Sequence, residues 1–254
     1  NAIIAGILQA GIFSPQQVWA SAPSMTHLSL LQRDYQIHIT EDNQEVAAQS
    51  DILVLAAKPY LITAIIEQIK NQIKPGVIVV SIAAGVTLSM MDESFDGPVH
   101  LVRVMPNTPC LVGEGMSAVL PGRWVTPEET EEIRAIFAAL GRAGVMEERL
   151  IDVVGAVSGS SPAYVYLFIE AMADAAVKGG MPREQAYRFA AQAVLGAAKM
   201  VLETGMHPGA LKDMVCSPGG TTIEAVEALE QNGLRGAVFA AMDACMEKSR
   251  KMSK

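Results

Sequence analysis

The sequence has little cysteine and no excess of basic residues, and each shortage excludes a class of protein. Three widely spaced cysteines in 254 residues give neither a disulfide framework nor a zinc-type spacing. Lys and Arg number 19 against 27 Asp and Glu, a formal net charge of -8, which argues against general binding to nucleic acid or an anionic membrane. No uninterrupted apolar run reaches the roughly 18 residues of a membrane span. We therefore expect a reduced, cytoplasmic protein with a small-molecule substrate, no nucleic-acid or membrane partner and no metal.

The first part of the chain alternates short apolar runs with helical patterns, which predicts βαβ units and a doubly wound, Rossmann-like parallel sheet. The runs at 52–55 and 77–80 are continuous and apolar, as is typical of strands buried on both faces of such a sheet. The pattern Thr126-Pro127-Glu128-Glu129 predicts a helix that begins there and ends near residue 140. The strands are predicted at residues 18–20, 37–39, 52–55, 77–80, 99–104 and 116–120.

From residue 150 onward strand-like runs disappear, and Ala-, Met- and Leu-rich helical stretches replace them. The sequence therefore predicts two domains, a dinucleotide-binding one over residues 1–149 and an all-helical one over residues 150–254. The most apolar stretch, 163–177, is interpreted as a buried helix. Breaks between helices are expected at 159–162, 179–182, 205–208, 217–220 and 232–233.

The opening ten residues have the pattern of a helix already under way, because no Ser, Thr or Asp cap precedes it. We therefore expect that a segment upstream of Asn1 is missing from this chain.

Two predicted strands lead into small residues where ligands of open α/β sheets bind, at the carboxyl ends of the strands. Ala56, Ala57, Lys58 and Pro59 follow one strand, and residues 82–84 follow the next. Small side chains let a flat ligand approach the backbone, and the Lys58 ammonium suits a phosphate or a ribose hydroxyl. Ordinary loops after two strands are the alternative interpretation.

The strand at 18–20 is followed by Ser21, Pro23 and Ser24, where NAD enzymes usually carry Asp or Glu for the ribose hydroxyls. Hydroxyls without a carboxylate tolerate a 2′-phosphate, which favours NADP over NAD. A simple turn is the alternative.

Two further segments carry polar groups at turns. Asn107 and Thr108 follow a predicted strand, and they suit either a ligand contact or a tight turn. Gly219 and Gly220 expose backbone amides ahead of a helix start marked by the capping-box spacing of Thr221 and Glu224. Amides at the positive end of a helix form an anion site suited to a small carboxylate. A capped helix without a ligand remains the alternative.

Several short motifs recur in a fixed order along essentially the whole chain, and together they resemble the pyrroline-5-carboxylate reductase family. No one motif is decisive, but their combined order and spacing are specific. The motifs are Ala57-Lys58-Pro59, Ala83-Ala84-Gly85-Val86-Thr87, Met105-Pro106-Asn107-Thr108-Pro109, Ser158-Gly159-Ser160-Ser161-Pro162-Ala163-Tyr164, Ala171-Met172-Ala173-Asp174, Gly180-Met181-Pro182, His207-Pro208-Gly209, Leu211-Lys212-Asp213 and Ser217-Pro218-Gly219-Gly220-Thr221-Thr222.

The resemblance implies reduction of 1-pyrroline-5-carboxylate to L-proline, the last step of proline biosynthesis, with NADPH, or less readily with NADH. It also implies a first strand and a glycine-rich loop before Asn1, which are absent from this chain. The helical domain is implied to bind substrate and to interlock with a second copy, in dimers that often assemble into decamers. Thr222 is the implied catalytic residue, through its hydroxyl near the imine nitrogen. The implied substrate residues are Ser217, Gly219, Gly220, Thr221, Thr222, Glu148 and Asn107, and the implied cofactor residues are Ser21, Pro23, Asn43, Ala56, Ala57, Lys58, Pro59, Ile82, Ala83 and Ala84.

Two alternatives stay open at this point. One is another imine or hydroxyacid reductase on the same two-domain plan, although such enzymes typically use a lysine in the first interdomain helix, and Ser158 to Tyr164 contain none. The other is an inactive, truncated reductase that serves as an oligomerising scaffold.

Overall fold

A computed structural model describes residues 1–252, which form two units. The first unit comprises Asn1–Gly159 together with the residues from Cys245 onward, and the second comprises Ser160–Ala244. The first unit contains α1 (Ala2–Gln9), β1 (Trp19–Ser21), α2 (Met25–Tyr35), β2 (His38–Thr40), α3 (Asn43–Gln49), β3 (Ile52–Leu55), α4 (Ile62–Ile69), β4 (Ile78–Ser81), α5 (Leu88–Asp92), β5 (His100–Met105), β6 (Gly115–Pro121), α6 (Pro127–Ala138), β7 (Gly141–Val145) and α7 (Ile151–Val154).

The strands of the first unit form two sheets. Strands β3 to β7 lie side by side in chain order, and β1 pairs with β2. All neighbouring pairs are parallel except β5 and β6. No strand pair joins the two sheets within residues 1–252. The carboxyl ends of parallel neighbours lie at one edge, which is where the candidate cofactor residues follow β1, β2, β3 and β4.

Helices cover both faces of the larger sheet, as the doubly wound prediction requires. Ile78 and Val80 of β4 pack in a cluster with Phe137 of α6, whereas Val79 packs in a second cluster with Ile66 of α4. All four residues of β4 are buried, because successive strand side chains point to opposite faces and both faces are covered. The predicted α/β fold is confirmed.

The local predictions for this unit are confirmed with one omission. The predicted strands agree with β1 to β6 within a residue or so at each end, and α6 begins at Pro127 behind the predicted Thr126 cap, where Glu129 completes a capping box. Strand β7 was not predicted, because Gly141–Val145 has two glycines and an arginine in place of the usual β-branched run.

The second unit consists of helices: α8 (Ser161–Lys178), α9 (Arg183–Thr204), α10 (Pro208–Val215), α11 (Thr221–Gln231) and most of α12 (Leu234–Met252). The expected breaks at 179–182, 205–208, 217–220 and 232–233 are confirmed. The break expected at 159–162 is wrong, because a π-helical turn, Gly155–Ser160, continues directly into α8. A π turn inserts one extra residue, which relieves the conflict that Pro162 would create in a continuous α-helix.

The interior of the second unit is made of small side chains, while large ones face outward. Its buried hydrophobic residues are alanines, Ala173, Ala186 and Ala190. Leu167 and Phe189 are each 68% exposed. The prediction of a buried helix at 163–177 is therefore wrong for the single chain, because α8 packs against α9 through alanine and turns its larger residues away from it.

One helical run, Glu148–Lys178, is long and apolar enough by length and composition to span a membrane. Of its most apolar 18-residue stretch, 17% is buried. Length and composition alone do not distinguish a membrane span from a helix that another subunit covers.

Candidate functional site

The first group of candidate residues lies at the carboxyl ends of β3 and β4. Leu55 is opposite Ser81 in the parallel register, and the Ile82 amide donates to the Leu55 carbonyl at 3.2 Å. The structure therefore brings residues 56–59 and 82–84 next to each other. Within this group Ala56, Lys58, Pro59 and Ala84 are exposed, Ala57 and Ile82 are half-buried, and Ala83 is buried. A ligand here meets exposed backbone and the Lys58 ammonium, while Ala83 belongs to the core.

The second group lies at the ends of β1 and β2. The Ser21 hydroxyl donates to Asn43 Oδ1 at 2.8 Å, and Asn43 Nδ2 donates to Gln68 Oε1 at 3.1 Å. Pro23 is exposed in the loop between β1 and α2. Gln68 lies on α4, so this chain of hydrogen bonds ties the edge of the smaller sheet to a helix that covers the larger one. Small residues and an exposed backbone edge after four parallel strand ends fit a dinucleotide.

Glu148 is held by two donors at the same oxygen. Its Oε1 accepts from the Leu88 amide at 2.9 Å and from Arg103 Nη1 at 3.2 Å. The Arg103 side chain is 6% exposed and that of Glu148 is 34% exposed. Glu148 therefore neutralises a buried cation and fixes the start of α5. Sequence reasoning missed Arg103, although an arginine inside an apolar strand is itself a signal of a buried ion pair.

Asn107 also has both ends of its amide engaged. Its Oδ1 accepts from the Met116 amide at 2.9 Å, and its Nδ2 donates to the Ser158 carbonyl at 3.0 Å. The half-buried side chain thus links the turn after β5 to the start of β6 and to the π turn. Glu148 and Asn107 as substrate contacts remain predictions.

The segment 217–222 belongs to the second unit and forms a tight turn before α11. Gly219 has φ +65°, a left-handed conformation that favours glycine, and the Gly220 amide donates to the Ser217 carbonyl at 3.0 Å. Because first-turn amides have no intrahelical acceptor, the start of α11 offers donors to an anion. Thr221 is exposed and Thr222 is half-buried.

The predicted capping box of Thr221 and Glu224 is wrong. The N-cap residue of α11 is Gly220, and no side-chain capping hydrogen bond is present. Thr221 is already the first helical residue, so its hydroxyl is one position too far along to cap the helix. The helix start itself is confirmed. A glycine cap leaves the entrance to the amides free of a side chain.

Two family models match the chain. The model described as "NADP oxidoreductase coenzyme F420-dependent" matches residues 1–85, and the model described as "Pyrroline-5-carboxylate reductase dimerisation" matches residues 148–252. The second half of the chain is thus similar to a dimerisation domain.

Known proteins match over the full length. The pyrroline-5-carboxylate reductase of Escherichia coli (strain K12) is 53% identical over 254 residues, covering 100% of this chain and 94% of that protein. The structure of a pyrroline-5-carboxylate reductase from Coxiella burnetii superposes with a TM-score of 0.95 at 32% identity, over 100% of this chain and 94% of the other. The Plasmodium falciparum pyrroline carboxylate reductase with NADP bound has a TM-score of 0.87, again at 32% identity, over 100% and 94%.

Proposed function

The chain belongs to the pyrroline-5-carboxylate reductase family, and we propose that it reduces 1-pyrroline-5-carboxylate to L-proline with a nicotinamide dinucleotide. The observation that carries this proposal is 53% identity to such an enzyme across all 254 residues. The chain is an oxidoreductase that acts on a C–N bond. The bound dinucleotide supplies the hydride, so the residues of this chain must chiefly bind, orient and exclude water.

NADPH is the proposed cofactor, with NADH as a weaker alternative. Residues 1–149 form the proposed dinucleotide domain. The proposed contacts are Ser21, Pro23 and Asn43 at one strand edge, and residues 56–59 with 82–84 at the other. Ser21 ends β1 without a carboxylate, so nothing at this position repels a 2′-phosphate. A structural relative holds NADP, which supports the same choice.

The proposed substrate site is the turn before α11. Its amides at the positive end of the helix would hold the substrate carboxylate, and Gly220 keeps their approach open. A protonated imine accepts hydride more readily than a neutral one, and Thr222 is the proposed group near its nitrogen. Its hydroxyl would either stabilise the iminium or supply the proton. Glu148 is the remaining proposed substrate residue, whereas both ends of the Asn107 amide are already hydrogen-bonded within the protein.

We further propose a cytoplasmic homodimer through residues 150–254, with decamers as a possible higher assembly, and no nucleic-acid or membrane partner. A second copy would cover the apolar side chains of α8 and α9 that are exposed to solvent in the single chain. The three cysteines are thiols rather than disulfides, which is compatible with a reducing compartment.

The test is NADPH oxidation by the purified protein with 1-pyrroline-5-carboxylate, with L-proline identified as product. The matched control substrate is 1-pyrroline, which has the same ring and imine but no carboxylate. We expect turnover of the first and a much lower kcat/KM for the second. Equal turnover of both, or reduction of NADP⁺ with β-hydroxyacids instead, would favour another reductase of this plan. No turnover by a well-folded oligomer would favour the scaffold alternative.

A further inference from the structure

A proline lies directly after the π turn that precedes α8. Pro162 is the second residue of α8. Proline has no N–H, and in a continuous α-helix its ring collides with the carbonyl four residues earlier. That carbonyl belongs to Ser158. The N–H that an α-helix would direct at this carbonyl is therefore missing, and a donor from another segment can take its place.

Asn107 supplies that donor. Its Nδ2 donates to the Ser158 carbonyl at 3.0 Å, across 51 residues of sequence. The other end of the amide is not free to rotate, because Oδ1 accepts from the Met116 amide at 2.9 Å at the start of β6. The side chain therefore replaces the backbone N–H that proline lacks, and it does so from a fixed position on the sheet.

The two glycines of the π turn pack closely against the side chain of Met105. A Cβ atom added to Gly155 or to Gly159 would lie 3.3 Å from Met105 Cε. Met105 is the last residue of β5, two positions before Asn107. The end of β5 therefore contacts the π turn in two ways: Met105 packs against Gly155 and Gly159, and Asn107 donates a hydrogen bond to the Ser158 carbonyl.

We propose that Asn107 is a positioning residue for the reaction, acting through the Ser158 carbonyl rather than through the substrate. This inference rests on the proposed function. The chain passes from the first unit to the second at Gly159 and Ser160, immediately after this carbonyl. The proposed cofactor residues precede that point and the proposed carboxylate site follows it. Asn107 therefore holds the last turn of the first unit, and the chain connects the two groups of proposed residues through that turn.

The test is a double-mutant cycle between Asn107→Asp and Pro162→Ala. Aspartate keeps the oxygen that accepts from Met116, but it replaces the donor to Ser158 by a carboxylate oxygen that repels the Ser158 carbonyl. Alanine at 162 restores a backbone N–H that can serve the Ser158 carbonyl. We expect Asn107→Asp to lower kcat by about 10- to 100-fold, the effect of a small misplacement. Its effect on the Kd for NADPH should stay within about twofold, because the two hydrogen bonds of Asn107 go to residues 116 and 158 and not to the proposed cofactor residues. When Asn107→Asp is added to the Pro162→Ala variant, kcat should fall by less than about threefold relative to Pro162→Ala alone.

Asn232→Asp is the matched control, because Asn232 Nδ2 also donates to a backbone carbonyl, that of Ala228 at 2.8 Å, in an exposed turn. It should leave kcat and KM unchanged. An equal loss from Asn107→Asp in both backgrounds, or a loss expressed only in the KM for substrate, would overturn the proposal and favour direct substrate contact. Should Asn107→Asp alone fail to fold, recovery of folding in the double variant supports the proposal, and no recovery overturns it. A wild-type protein without reductase activity would refute the proposed function instead, while the coupling between positions 107 and 162 would still be read from thermal unfolding.

Discussion

The Ser21 hydroxyl donates to the side chain of Asn43 at 2.8 Å, although the two residues are 22 positions apart. Asn43 is in turn anchored to Gln68 at 3.1 Å. The oxygen of Asn43 therefore faces Ser21, and its nitrogen faces away. A hydroxyl at position 21 suits this acceptor, whereas a carboxylate would be repelled by it.

This geometry predicts the consequence of Ser21→Asp for cofactor choice. A carboxylate at the end of β1 repels a 2′-phosphate and attracts the ribose hydroxyls of NADH. We expect the ratio of kcat/KM for NADPH to that for NADH to fall by at least about tenfold, which corresponds to about 1.4 kcal/mol. Steady-state kinetics with each cofactor measure the ratio.

Ser21→Ala separates charge from the lost hydrogen bond. It removes the donor to Asn43 without adding a carboxylate, so both cofactors should be affected equally and weakly. If Ser21→Asp also weakened both cofactors equally, the loop after β1 would not be the 2′-phosphate site.

Glu148→Gln tests the buried ion pair. Glutamine keeps an oxygen for the Leu88 amide but leaves Arg103 buried without a counter-charge. Because Glu148 itself is one-third exposed, we expect a loss of about 1 to 3 kcal/mol in the free energy of unfolding, the range for hydrogen bonds to charged groups. Denaturant unfolding measures it. Glu147→Gln is the control, since its pair with Arg149 is exposed and worth little. A raised substrate KM with unchanged stability would instead support Glu148 as a substrate contact.

Gly220→Ala should act mainly on substrate binding. The added Cβ would lie 2.3 Å from Ser217 Oγ and 3.1 Å from the Ser217 carbonyl oxygen, so the turn must shift and the amides of α11 lose their approach. We expect the KM for 1-pyrroline-5-carboxylate to rise more than kcat falls. An unchanged KM would contradict the carboxylate site.

Thr222→Ala should lower kcat with little change in the Kd for NADPH. One neutral hydrogen bond is worth about 0.5 to 1.5 kcal/mol, so binding alone predicts a loss below roughly tenfold. Proton transfer predicts a loss of roughly a hundredfold or more. Thr222→Ser keeps the hydroxyl and should restore activity. Full activity of Thr222→Ala would remove Thr222 from the proposed site.

Leu167→Glu tests the dimer. The side chain is 68% exposed in the single chain, and a second copy that covers it would have to bury the new carboxylate. We expect light scattering to show dissociation toward the mass of one chain. Gln192→Glu adds the same charge on α9 at a position that is already polar and should retain the wild-type mass. A wild-type protein that is a folded monomer at micromolar concentration would contradict the dimer outright.

We expect Glu129 to stabilise the folded protein to an extent that depends on pH. Burial has the largest single effect and raises the pKa of Glu129, but hydrogen bonds from the Thr126 amide at 2.8 Å and from His100 at 2.6 Å together bring the pKa below its usual value. The stabilisation is therefore present above the ordinary pKa of about 4.3 and is lost as pH falls through the lower, folded value. Glu129→Gln should flatten the fall of the melting temperature below about pH 4.3.

Thr126→Ala is the control for that experiment. It removes the hydroxyl that accepts from the Glu129 amide at 3.2 Å, and with it the smallest of the effects that lower the pKa of Glu129, but it leaves the Thr126 amide and His100 in place. The cost should be about 0.5 to 2 kcal/mol and should depend little on pH. A Glu129→Gln variant whose melting temperature kept the wild-type dependence on pH would contradict the assignment.

The sequence alone was sufficient for the architecture because the signals were local. Continuous apolar runs such as 77–80 predicted strands covered on both faces, the Thr126-Pro127-Glu128-Glu129 pattern predicted a capped helix, and glycine with proline at 179–182 and 205–208 predicted the ends of helices. Each of these depends on residues that are neighbours in sequence. Strand β7 was missed for the same reason, since Gly141–Val145 has little strand propensity and is held by its pairing with β6.

Only the tertiary structure revealed which candidate polar groups already form hydrogen bonds or ion pairs within the protein. The sequence marked Asn107 and Glu148 as polar residues near turns, but it carried no sign that Ser158 and Arg103 would meet them. Nor did it show that α8 and α9 approach each other through alanines, so that apolar residues expected inside are exposed in the single chain. Local propensity and periodicity depend on spacing along the chain, whereas these contacts depend on how distant segments pack. The sequence by itself therefore determined the fold and the family, and the tertiary structure decided which candidate side chains hold the protein together.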